Sequence, residues 1–174
     1  MKKIYIIQMH TKTIPARFIK FFTRYNYSHI ALSFTKSCNK IYSFGRKKYN
    51  SFMDAGFVEE TKSGKFFSKF KDTNCRIFEL EVTSAQYNKI KRKISYMKNH
   101  EKLFKYDYVG IFLRFFKLPV SFKNKYVCSF FVAKLLEDAS IYKFDKELYF
   151  IEPRDFERID NIREVYKGKF VLHK

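Results

Sequence analysis

The sequence predicts an α+β fold in a single domain spanning residues 1–174. Short apolar runs of strand length ("KKIYIIQM", "SHIALSF", "KIYSFGR", "CRIFELEV") are interleaved with stretches whose apolar residues recur at helical spacing. No linker composition and no internal repeat divides the chain, and 174 residues are enough to bury a sizeable core.

Taken in order, "KKIYIIQM" is too short for a core helix and is predicted to be a first strand. After Pro15, "ARFIKFFTRY" places Phe18, Ile19 and Phe22 on one face of a short basic amphipathic helix, suited to packing on a core or to touching a membrane. "SHIALSF" and "KIYSFGR" follow as two strands joined by the polar hairpin-length loop "TKSCN". Residues 46–74 are polar and irregular apart from "AGFVEE". They are expected to form a long surface loop with at most one short strand, of a kind that often borders sites.

"CRIFELEV" is the next strand. It runs into a helix whose Thr83 and Gln86 have capping-box spacing and whose Tyr87, Ile90, Ile94 and Met97 form an apolar stripe. "YDYVGIFLRFFKLP" gives a further stripe of Tyr108, Ile111, Phe112, Phe115 and Phe116, stopped before Pro119. From Cys128 the pattern Cys128, Phe131, Val132, Leu135, Leu136 marks another helix. "REVYKGKFVLHK" reads as a terminal hairpin with Gly168 in its turn.

The formal net charge of +19 favours polyanionic partners such as nucleic acid or an anionic lipid surface. Dispersed lysines in a chain rich in Phe, Tyr, Ile and Asn also fit simple compositional bias, and no stretch matches an RNA-recognition signature. Three widely spaced cysteines without a C-x-x-C pair suggest neither a zinc site nor a disulfide framework, and so a reducing compartment. The apolar start is interrupted at His10 and Thr11 with no small-residue cleavage site. No run approaches the roughly 18 apolar residues of a membrane span, so a cytoplasmic protein is expected.

A thiol acts as a nucleophile only as thiolate, and a helix N-terminus favours that anion. Cys128 lies where "KYVC" turns into an apolar helix, whereas Cys38 falls in a loop and Cys75 at a strand edge. A cysteine on an apolar stripe also serves as a small core residue, and both readings stand on this stretch alone. Of the four histidines, His100 and His173 are expected to be exposed and His10 enters a loop. His29 opens an apolar strand. Alternation puts it on one face with Ala31 and Ser33, while Ile30, Leu32 and Phe34 fill the other, as at the floor of a cleft or around a half-buried strand histidine.

Together, "YSHIALSF", "KIYSFGRK", "YDYVG", "YVCSFFVAKLLEDASI" and "FIEPRDFE" resemble, in order and spacing, the permuted branch of the NlpC/P60 papain-like cysteine hydrolases. This is the YiiX-like group, to which the lecithin:retinol acyltransferase-like proteins are related. The resemblance spans about Lys3 to Phe156 and implies a circularly permuted papain-like fold, in which a mostly antiparallel sheet packs against helices, the Cys-bearing helix among them.

The resemblance further implies Cys128 as nucleophile and His29 as general base. Tyr106 is matched to a tyrosine beside the thiolate that helps to bind an oxyanion, with Tyr108 as rival. Many relatives carry Glu or His on the strand after the histidine, where this chain has Ser43; Glu59 or Glu60 of "GFVEE" are alternatives. The implied activity is a cysteine hydrolase or acyltransferase acting on an amide or ester of a peptide or lipid-like substrate, with no metal or organic cofactor. A catalytically weak scaffold that binds a polyanion is the alternative.

Overall fold

The structure is a computed structural model that describes residues 1–10, 25–48, 54–116, 118, 120 and 122–173. The amphipathic segment after Pro15 lies outside the described residues up to Arg24. In chain order the strands are β1 (Lys2–His10), β2 (His29–Ser33), β3 (Lys40–Arg46), β4 (Ala55–Thr61), β5 (Asn74–Val82), β6 (Lys105–Tyr106), β7 (Lys125–Tyr126) and β8 (Arg163–Lys169). The α-helices are α1 (Lys65–Lys69), α2 (Ser84–Asn99), α3 (Tyr108–Phe115) and α4 (Cys128–Asp138). The fold is α+β. One mixed eight-stranded sheet runs β7-β6-β4-β3-β2-β1-β5-β8, antiparallel throughout except for the β6–β7 pair.

The period-two alternation of the strands builds two separate cores. Ile4 and Ile6 of β1, Ile30 and Leu32 of β2, Phe44 of β3 and Phe57 of β4 face α2 and α4, where Ile90, Ile94, Met97, Phe131, Val132 and Leu136 meet them. Tyr5, Ile7, Met9, Ala31, Ile41 and Ile77 form the opposite face, closed by Phe67 of α1 and Phe170. Helix α2 starts at the expected capping box, with the Thr83 side chain accepting from the Gln86 N–H and the Gln86 side chain accepting from the Thr83 N–H.

The structure corrects the sequence reading in several places. Residues 46–74 hold the strand expected at "AGFVEE", but more than a loop surrounds it: β4 pairs with β3 at seven consecutive positions, from Lys40↔Thr61 to Arg46↔Ala55, and α1 follows. Gly56 disguises that strand, but a Cβ there would come within 2.6 Å of the Phe104 carbonyl oxygen, so glycine lets β6 dock on β4. Gly168 does not turn a hairpin. It lies inside β8, opposite Cys75. His173 is buried, with Nε2 2.7 Å from the Lys36 carbonyl oxygen. Phe112 and Phe116, part of the apolar stripe of "YDYVGIFLRFFKLP", are 62% and 61% exposed.

Candidate active site

Strands β2 and β3 pair through a single register position, Leu32↔Tyr42. Toward His29 the edge of β2 that faces β3 turns to other partners. The Ile30 carbonyl accepts the Ser43 hydroxyl at 2.7 Å, and the Ile30 N–H favours the sulfur anion of Cys128. The helix that carries this cysteine packs on both strands, which sets its first residue at the gap between them.

Cys128 is the first residue of α4, preceded by Val127 in extended backbone (φ −106°, ψ 165°). A valine cannot cap the helix start, so the N–H groups of Cys128 and Ser129 are left to favour a sulfur anion, together with that of Ile30. The Arg114 charge acts in the same sense. Burial opposes all of these and prevails: Cys128 is 7% exposed and its thiol pKa is raised. The resting residue is therefore a thiol in surroundings prepared for the thiolate.

His29 is half-buried, its ring lies against Gly45, and its Nε2 is 3.0 Å from Ser43 Oγ. A serine hydroxyl has one proton, and that of Ser43 is committed to the Ile30 carbonyl. Ser43 must then accept from His29, which fixes the proton on Nε2 and leaves Nδ1 as the basic nitrogen. Burial pushes the imidazole pKa down to about 4, as expected where no carboxylate backs the ring. Ile30 thus links the constellation: it follows His29 in the chain, its N–H favours the sulfur anion, and its carbonyl anchors the hydroxyl that orients the ring.

The two glutamates stand apart from this arrangement. Glu59 shares the face of Tyr42 and pairs with Lys98 at 2.9 Å and Lys40 at 3.2 Å. Glu60 lies opposite Ile41, two residues along β3 from the Ser43 that meets the His29 ring, about 7 Å at strand rise. Burial pushes the Glu60 carboxyl pKa up to about 7, and the charge that acts on that carboxyl is that of Arg46. Of Ser43, Glu59 and Glu60, Ser43 is the one on the imidazole.

Tyr106 is half-buried on β6. Its phenol pKa is raised, first by burial and then by the neighbouring Cys128. Tyr108 instead feels Arg46 and Asp54. The motif "YDYVG" also has a local logic. Asp107 caps α3, its Oδ1 accepting from the Gly110 N–H at 2.8 Å, and a Cβ on residue 110 would meet Asp107 Oδ2 at 2.1 Å and the Tyr149 hydroxyl at 2.7 Å.

Sequence reasoning missed Arg114. It sits in the last turn of α3, with its Cζ 4.6 Å from the centre of the Tyr149 ring. Burial lowers its pKa, and the charges of Tyr149, Cys128 and Tyr106 act against that. The available signal was one cation within the apolar run "GIFLRFF". His100 lies elsewhere, at the C-terminus of α2, whereas His10 ends β1 next to the Met9 that pairs with His29, its Nδ1 3.4 Å from Ser28 Oγ.

Among the described residues no cluster of three His, Cys, Asp or Glu could hold a metal ion, and no helix is long and apolar enough to cross a membrane. No family model matches the chain, and searches of curated proteins and of solved structures return no match.

Proposed function

We propose that this chain is a cysteine hydrolase or acyltransferase of the permuted NlpC/P60 papain-like type, acting on an amide or ester. The observation that carries the reading is the shared Ile30 peptide, which joins a thiol at a helix start to a histidine whose Nδ1 is left basic. In this mechanism Cys128 Sγ attacks the scissile carbonyl while His29 Nδ1 takes the thiol proton, so no preformed ion pair is needed. The carbonyl oxygen gains charge facing the Cys128 N–H and the Tyr106 hydroxyl. His29 returns the proton to the departing amine or alcohol as the C–N or C–O bond breaks, leaving an acyl group on sulfur. Water or an acceptor hydroxyl or amine, deprotonated by His29, then releases it. A peptide or lipid-like substrate in a reducing compartment such as the cytoplasm suits this chemistry.

The test is iodoacetamide labelling at neutral pH, read separately at each cysteine by peptide mass spectrometry. Cys128 is expected to be labelled fastest, and His29→Ala should slow it at least about tenfold. Labelling of Cys128 that ignores His29→Ala would overturn the reading.

A second reading, a basic scaffold binding an anionic lipid surface, is favoured by one feature. Val109, Phe112 and Phe116 expose an apolar row on and just beyond α3, and residues 108–125 hold four basic and no acidic side chains. Co-sedimentation with phosphatidylglycerol vesicles that Phe112→Ser abolishes supports it; binding indifferent to the anionic lipid contradicts it.

A further inference from the structure

We infer that Arg114 forms the subsite for an anionic oxygen group, a carboxylate or a phosphate, carried by the substrate close to its scissile carbonyl. The inference rests on Cys128 being the nucleophile. A guanidinium is charged at any relevant pH, and burying one without a counter-charge is strongly unfavourable unless something else compensates. Arg114 is half-buried and has no ion-pair partner among the described residues, and its Nε is fully buried without a hydrogen-bond partner.

Its neighbour Asp107 does not fill that role. One Asp107 oxygen is engaged with the Gly110 N–H at the start of α3. Tyr149 supplies the face of its ring and a neutral hydroxyl oxygen, whose own proton is donated to the Gly110 carbonyl at 2.7 Å. A ring face and one neutral oxygen leave the Nε donor without a partner.

The position of this cation gives it a purpose. Its charge acts on the Cys128 sulfur and on the Tyr106 hydroxyl, the two groups that flank the reacting carbonyl in the proposed mechanism. An anion bound there would give Nε its partner, favour entry of substrates that carry it, and orient the carbonyl against the sulfur. A purely structural arginine would need neither the vacant Nε nor the proximity to the thiol.

The test compares iodoacetate with iodoacetamide, which alkylate Cys128 by the same displacement. A C–S bond forms, the C–I bond breaks, iodide leaves and the thiol proton passes to His29 or solvent. Because only iodoacetate carries a carboxylate, the ratio of the two rates cancels any change in thiolate fraction. The ratio should fall about tenfold in Arg114→Gln and partly in Arg114→Lys, while Lys105→Gln, an exposed charge change on β6, should leave it unaltered. A ratio unchanged in Arg114→Gln, or changed equally by Lys105→Gln, overturns the inference.

Should Arg114→Gln fail to fold, the wild-type protein decides the matter. Inorganic phosphate or succinate, at ionic strength held constant with chloride, should protect Cys128 from iodoacetamide in a saturable way, and the better protector identifies the anion. Lack of protection by either overturns the subsite. If Cys128 labels without dependence on His29, the nucleophile reading fails instead. A phosphate-induced rise in melting temperature, present in wild type and lost in Arg114→Lys, then reports the anion site by itself, and its absence overturns that site too.

Discussion

The three thiols of this chain are all free and all buried, yet they occupy two chemically different places on opposite faces of one sheet. Cys38 and Cys75 lie in the core closed by Phe67 and Phe170, where burial drives both thiol pKa values up to about 12. Among the described residues, the cation that acts on both is the Lys62 ammonium. Cys38 sits at a turn residue with φ 50° and donates its S–H to the Lys36 carbonyl at 3.5 Å, behaviour suited to a structural thiol. Cys128 is buried too, 7% exposed against 0% for the other two, but three backbone N–H groups and the Arg114 charge favour its anion. Burial by itself makes an inert thiol; burial at a helix start whose N–H groups favour the sulfur anion makes a candidate nucleophile.

The largest break in this comparison comes from removing the packing on either face. Phe131, within 5.1 Å of the Phe44 ring centre, holds α4 against the sheet, and Phe67 holds the opposite core. Phe131→Ala and Phe67→Ala should each cost about 3–5 kcal/mol in denaturant unfolding. Their chemistry should separate: Phe131→Ala erases the dependence of Cys128 labelling on His29, whereas Phe67→Ala exposes Cys38 and Cys75 and leaves that dependence intact.

Next comes the acid response of the imidazole. His29 falls from an ordinary value of 6.5 to about 4 in the folded protein, so the unfolded chain binds the extra proton first. The stabilisation is present above pH 6.5 and is lost as pH falls through 4, a change of about 3 kcal/mol. Glu60, whose carboxyl burial pushes up to about 7, acts in the opposite sense as pH falls from 7 to 4.5. Wild-type urea-unfolding stability should therefore change little there, and His29→Gln should make it rise toward acid. Glu79, whose carboxyl is held down to about 2 chiefly by its bond from Lys3, should lose its contribution only below pH 4.5 and so leaves the His29 window distinct. A smaller effect is expected from Ser43→Ala. It frees the tautomer of His29 and orphans the Ile30 carbonyl, which should slow Cys128 labelling about tenfold with a stability loss of about 1–3 kcal/mol.

Much of this arrangement was legible before any coordinates. The alternation of "SHIALSF" placed His29 and Ile30 on opposite faces, and the stripe from Cys128 placed the thiol at a helix start, because both follow from local period. β4 was legible only in part, since Gly56 and two adjacent glutamates break the strand pattern for reasons that lie in β6 and α2. The exposure of Phe112 and Phe116 was not legible, because periodicity names a face without saying what covers it. His173 is buried by a carbonyl from residue 36, a contact far apart in sequence. The preference for Ser43 over Glu60 needed the register of β3 against β4, and Arg114 needed the tertiary position of α3 beside Cys128.

The most direct measurement is the intact mass of the protein after brief exposure to p-nitrophenyl acetate at pH 7, with the modified residue mapped by peptide sequencing. The account predicts one acetyl group on Cys128, formed with a burst of nitrophenolate, absent in Cys128→Ala and strongly slowed in His29→Ala. Acetylation confined to lysines, or an acetyl-Cys128 that forms equally fast without His29, would contradict it.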